Sequence, residues 1–173
     1  MRLVHIYCGD GKGKTSAAVG SAIRFVGHDG KVLFCQFMKS GNSGELSILN
    51  TIPNITVQNP YKIKKFSFDM TEEEKKETAK GYLKQFNELV RLLNNEKYGM
   101  VVMDEIMSCI SCGFISTERI IEFLENRSQN IEVIMTGRNP DKNLIKYADY
   151  VSEICKVKHP YDEGIIARKG IEY

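Results

Sequence analysis

No stretch of this sequence stays apolar for anything near the roughly 20 residues that a membrane-spanning helix needs, so the chain is not expected to span a bilayer. It also lacks an excess of either charge. The 24 Lys and Arg against 22 Asp and Glu leave a net +2. Without a long basic run, that is too little to point to nucleic acid. A Gly-rich motif begins at residue 9, which leaves no room for a signal peptide and its cleavage site. The cysteines are five, an odd number, scattered at 8, 35, 109, 112 and 155. With no export signal they read as reduced thiols, and the expected location is cytoplasmic. No repeat, low-complexity tract or interdomain linker interrupts the chain. What remains is ordinary for a folded domain: 42% hydrophobic residues and 14 glycines exclude wholesale disorder. A length of 173 residues predicts one domain over 1–173. Such a chain buries roughly two-thirds of its unfolded surface and needs no disulfides.

Strand-length apolar runs alternate with segments of helical period. Strands are expected at 3–7, 31–38, 55–57, 100–103, 131–135 and 150–154. Their unbroken Val, Ile and Met runs suit strands covered on both faces, as in a parallel sheet. Helices are expected over 14–26, ending at a C′ glycine, Gly27, and over 71–97, where Thr71 and Glu74 form a capping box. Ala79, Tyr82, Leu83, Phe86, Leu89, Val90 and Leu93 trace the apolar face of that second helix. Shorter helices should start at Ser116 or Thr117 and at Pro140. This order predicts an α/β fold, a mostly parallel sheet with helices on both faces. Residues 39–70 read as irregular, with a basic patch at Lys62, Lys64 and Lys65.

The chemistry is concentrated after the first strand. Gly9, Asp10, Gly11, Lys12, Gly13, Lys14, Thr15 and Ser16 join that strand to the first helix, the context a P-loop requires. Glycines let backbone N–H groups turn toward phosphate oxygens, and the helix N-terminus adds partial positive charge. Lys14 should reach the phosphates and Thr15 should bind Mg²⁺ through its hydroxyl. The first motif position, usually glycine, is Cys8. Asp104 and Glu105 close the fourth strand, where a carboxylate can complete the Mg²⁺ site; spacing leaves open which of the two does so. Arg138 follows the fifth strand on the side where ligands of parallel sheets collect, a candidate nucleotide contact. Cys109 and Cys112 form a CxxC without a second ligand pair and read as packing residues. His159 has no second ligand at metal spacing, and His5 and His28 read as strand and loop residues without partners.

In these residues the chain resembles the P-loop type of cob(I)alamin adenosyltransferase, the ATP:corrinoid adenosyltransferase family. The similar blocks are 7–20, 31–39 with Gly44 and Glu45, 102–106, Thr136 to Pro140, 148–153, Lys158 to Tyr161, and Gly170 to Tyr173. The resemblance implies a RecA-like P-loop fold and transfer of the 5′-deoxyadenosyl group of ATP to the cobalt of a reduced corrinoid. Triphosphate leaves in that reaction, and ATP lies reversed in the P-loop. It implies Lys14 and Glu105 as catalytic residues, and Gly9 through Ser16 with Arg138 as the nucleotide site. Thr15, Asp104 and Glu105 would hold Mg²⁺. Corrinoid contacts are expected from Phe37, Met38, Lys39, Glu45, Phe66 and Phe68. A homodimer and an electron donor such as a flavodoxin are the expected partners.

The sequence departs from the family pattern in two places. It has no tryptophan after the Lys of the second block, and it begins at the first strand where many members carry an N-terminal extension over the corrin. Cover for the corrin is therefore expected from 39–70. Two other readings of the residues stay open: a P-loop ATPase or kinase, and a nucleotide- or corrinoid-binding regulator without turnover.

Overall fold

The structure, a computed structural model, describes residues 2–39, 43–63, 65 and 67–172. Six strands form one all-parallel sheet: β1 (Val4–Cys8), β2 (Val32–Gln36), β3 (Ile55–Val57), β4 (Met100–Asp104), β5 (Glu132–Thr136) and β6 (Tyr150–Glu153). Their order is β3-β2-β4-β5-β1-β6. The P-loop strand β1 is thus separated from the acidic strand β4 by one strand, as in RecA-like folds. β2 and β4 are buried at every position, which is why they read as unbroken apolar runs. β6 is an edge strand, exposed along its length.

Helices cover both faces. α1 (Lys14–Val26) and the short α2 (Gly44–Leu49) lie over one, packing on Val32, Phe34, Met100, Val102 and Ile134. α3 (Glu72–Asn95), α4 (Ile106–Ser111), α5 (Thr117–Asn126) and α6 (Lys142–Ile145) contribute to the other core, with Leu33, Cys35, Val101, Met103 and Met135. The odd and even residues of β1, β2, β4 and β5 separate cleanly between the two cores, the period of two that a pleated strand imposes. Among the described residues no helix is long and apolar enough to cross a membrane.

α3 begins as its sequence dictates. Thr71 Oγ1 accepts from the Glu74 N–H (3.2 Å), and the Glu74 carboxylate accepts from the Thr71 N–H (2.9 Å). Such a cap contributes about 1 kcal/mol. Tyr82, Phe86, Leu89 and Leu93 are buried, but Leu83 is not.

Four further details differ from the sequence reading. Gly27 is right-handed (φ −59°), and Asp29 (φ 60°) takes the left-handed turn instead. The last helix starts at Lys142 rather than Pro140, because Asp141 caps it by accepting from the Asn143 N–H (2.7 Å). α2 lies inside the stretch read as irregular; six residues are too few for a helical period to register. His5 has partners: its Nε2 is 2.5 Å from Glu132 Oε1, and its ring stacks on Tyr150 with centroids 4.7 Å apart.

Candidate active site

All six strands run the same way, so their C-terminal ends share one rim. Gln36, Asp104 and Thr136 end β2, β4 and β5 there, with Gln36 in register with Asp104. Alternation puts all three on the α1 face, above Phe34, Val102 and Ile134. At the same rim β1 passes into the P-loop. Cys8 is still a strand residue, and Gly9 (φ 103°) makes the turn. A Cβ on Gly9 would sit 2.4 Å from the Ile154 carbonyl oxygen. Glycine is required at position 9, while Cys8 keeps strand backbone that accepts a side chain, so a cysteine is tolerated at the first motif position. Gly13 (φ 119°) then caps α1 in another conformation that side chains rarely adopt.

Asp104 is completely buried and organises the rim. Its Oδ1 accepts from Thr15 Oγ1 (2.9 Å) and Thr136 Oγ1 (2.7 Å). Its Oδ2 accepts from Gln36 Nε2 (3.2 Å) and Lys39 Nζ (2.9 Å). Lys39 also donates to Thr15 Oγ1 (3.2 Å) and Glu45 Oε1 (3.4 Å), and Gln36 Nε2 reaches the same Glu45 oxygen (3.0 Å). Burial would push the Lys39 ammonium toward neutrality, but Asp104 and Glu45 outweigh it and raise its pKa. A buried charge has to be matched in this way.

Lys14 is a buried cation, 8% exposed, its Nζ donating to the Gly11 carbonyl (2.7 Å). Burial lowers its pKa, Glu105 and Asp10 oppose that, and the nearby Arg138 charge adds to the lowering. A partly dehydrated ammonium is suited to receive an anion. Asp10 serves the loop: its Oδ1 accepts from the Lys156 N–H (3.0 Å), which with the Lys156 and Arg138 charges holds its carboxyl below the usual range. Lys12 and Ser16 are exposed at the loop surface.

Glu105 is left-handed (φ 60°, ψ 24°), a conformation costing about 1–2 kcal/mol for a residue with a side chain. Its N–H donates to Thr136 Oγ1 (2.9 Å), and its carboxylate accepts from Ser108 Oγ (2.7 Å). Of the two adjacent acids, Asp104 is the one whose carboxylate meets Thr15. Met38 (φ 53°) and Asn139 (φ 48°) are likewise left-handed, just past β2 and β5. Strain thus gathers along the rim that carries the site.

The residues expected toward the corrinoid fall in different places. Lys39 and Glu45 have their charged ends in the Asp104 cluster. Phe37 is fully buried, with its ring centroid 6.2 Å from that of Tyr82. Met38 is half-buried, and Phe68 is 80% exposed. Phe66, like Lys64 of the basic patch, lies outside the described residues. Gln36 and Thr136 went unnoticed in the sequence as site residues. Their signal is a polar residue ending an apolar strand, at the same parity as Asp104.

A family model described as ATP:corrinoid adenosyltransferase BtuR/CobO/CobP matches residues 1–173. The chain belongs to the ATP:corrinoid adenosyltransferase family. It is accordingly a transferase that moves the adenosyl group of ATP to a corrinoid. It is 33% identical over 172 residues to the corrinoid adenosyltransferase of Escherichia coli strain K12, spanning 99% of this chain and 85% of that one. It is 31% identical over 170 residues to that of Pseudomonas aeruginosa, with 97% and 82% covered. Among solved structures, the cytoplasmic domain of EssC superposes with a TM-score of 0.53 at 18% identity. That match covers 97% of the adenosyltransferase chain and 35% of the other, and it bears on the fold alone.

The cysteines of this adenosyltransferase are free thiols. Cys109 is fully buried, and burial pushes its thiol far above the usual range; Cys112 is half-buried, its Sγ donating to Ser67 Oγ (3.4 Å). Replacing both by alanine is expected to leave turnover within a few-fold of the parent. Metal analysis alongside the assay checks this: stoichiometric zinc lost together with activity in the double variant would overturn the packing role. His159 caps the short turn Pro160–Glu163, its Nδ1 accepting from the Tyr161 N–H (3.1 Å).

Proposed function

We propose that one P-loop domain over residues 1–173 transfers the 5′-deoxyadenosyl group by displacement at C5′ of ATP, with inorganic triphosphate as the leaving group. The observation that carries this is a P-loop that buries the Lys14 ammonium and whose Thr15 hydroxyl donates to the buried Asp104 carboxylate at the end of β4. Attack at C5′ releases all three phosphates together, so the protein's main task is to stabilise a highly charged leaving group with preorganised charge. Lys14, Lys12, Arg138 and the loop N–H groups do that. The nucleophile is the reduced cobalt of the corrinoid substrate, so no side chain has to be deprotonated to attack.

Thr15 and Asp104 would hold Mg²⁺. The rim fits a cation, because the Lys39 ammonium already lies within hydrogen-bond distance of both side chains. When bound, the metal neutralises phosphate charge. Glu105 is retained as a catalytic candidate through its charge near Lys14.

A one-electron donor such as a flavodoxin would bring the corrinoid to its nucleophilic state. A homodimer fits the exposed apolar side chains of the C-terminal segment, Val157, Tyr161 and Ile166. Free thiols throughout fit a reducing, cytoplasmic setting.

Anaerobic incubation with ATP, Mg²⁺ and chemically reduced cobalamin tests the proposal. The expected outcome is the adenosylcobalamin spectrum with triphosphate in equal amount. ADP and phosphate without that spectrum would instead support a hydrolase in which Glu105 acts as base.

A further inference from the structure

We infer that Lys39 is a tethered counter-ion that keeps free divalent metal out of the nucleotide-free site and yields its place when metal and nucleotide arrive together. This rests on the reading of Thr15 and Asp104 as the metal ligands. An ammonium has three N–H donors and no acceptor. Lys39 directs them at Asp104 Oδ2 (2.9 Å), Thr15 Oγ1 (3.2 Å) and Glu45 Oε1 (3.4 Å). Two of those oxygens belong to the proposed metal ligands, so the ammonium sits where the ion would. Its partner Asp104 is fully buried and Lys39 itself is largely shielded, with 28% of its side chain exposed.

An ammonium and a divalent ion cannot share the same two oxygens. At that separation like charges repel by several times the thermal energy even in a well-screened site. A metal arriving alone would have to expel Lys39 from Asp104, the nearer of its two acids, with Glu45 as the remaining one. A metal arriving with a polyphosphate brings its own oxygen ligands and offers the displaced ammonium new anionic partners. The left-handed turn at Met38 (φ 53°) immediately precedes Lys39, so the side chain can leave the cluster while β2 stays in the sheet. Entry of metal is thereby coupled to entry of nucleotide.

The test measures retention of Mn²⁺ by equilibrium dialysis, with and without ATP on both sides of the membrane. The wild type is compared with Lys39→Met and Lys39→Gln; the glutamine variant keeps a neutral donor toward Asp104 should the methionine variant fold poorly. Without ATP, both variants are expected to bind Mn²⁺ at least tenfold more tightly than wild type, and Mn²⁺ alone should raise their melting temperatures more. With ATP the difference should shrink. In Lys39→Gln/Asp104→Asn the nucleotide-free gain should vanish. Equal nucleotide-free affinity in wild type and variants, with normal uptake in ATP, would overturn the role of Lys39 and leave the metal reading standing. Failure of the wild type to retain Mn²⁺ with ATP would overturn the metal reading itself.

Discussion

Asp104→Asn is expected to lose at least 10²-fold in adenosyl transfer and to lower stability by about 2–3 kcal/mol. Both effects follow from its position. The carboxylate is fully buried and takes hydrogen bonds from Thr15, Thr136, Gln36 and Lys39. An amide in its place presents an NH₂ group to donors and removes the negative charge opposite Lys39. Breaking a buried ion pair from one side costs about 3–5 kcal/mol, and the figure here is discounted because Lys39 is partly solvated. Under the proposed metal role, loss of this charge falls on the rate. Glu105→Gln should cost at least tenfold less in rate, since its carboxylate accepts from Ser108 rather than from the Thr15 cluster. Anaerobic rates across a Mg²⁺ titration, with urea melts of both variants, decide the matter. A larger effect at Glu105 would move the metal site one residue along the chain.

Lys14→Ala is expected to reduce transfer by 10²-fold or more while the protein stays folded. Lys14 donates to Gly11, a bond within its own loop, and its burial carries a desolvation cost that alanine removes. The two roughly offset, so the melting temperature should stay close to that of the parent. The rate should not, because one preorganised charge on the proposed triphosphate leaving group is worth about 3 kcal/mol or more of barrier. Circular dichroism melts and anaerobic turnover measured on the same preparation separate folding from catalysis. Turnover near the parent's value would refute the P-loop as the phosphate site.

Much of this could be read from the chain alone, for identifiable reasons. The Val, Ile and Met runs of β2 and β4 are unbroken because those strands are covered on both sides. α3 is legible because 24 residues give its apolar stripe several turns and its capping box is local. The P-loop is legible because its chemistry lies within eight consecutive residues, Gly9 to Ser16. These are signals of short range.

What the tertiary structure decided depends on neighbours far apart in sequence. The choice of Asp104 over Glu105 as the partner of Thr15 spans 89 residues. It follows from pleat parity together with the left-handed turn that swings Glu105 aside. Gln36 and Thr136 join the site only because β2 and β5 flank β4 in the sheet. Lys39 and Glu45, expected toward the corrinoid, sit in the Asp104 cluster because β2 ends on the same rim as β4 and the first turn of α2 brings Glu45 to Gln36 and Lys39. Strand order and face are properties of the assembled sheet. Spacing along one chain does not encode them, so which polar residues share a buried carboxylate emerges only once the strands lie side by side.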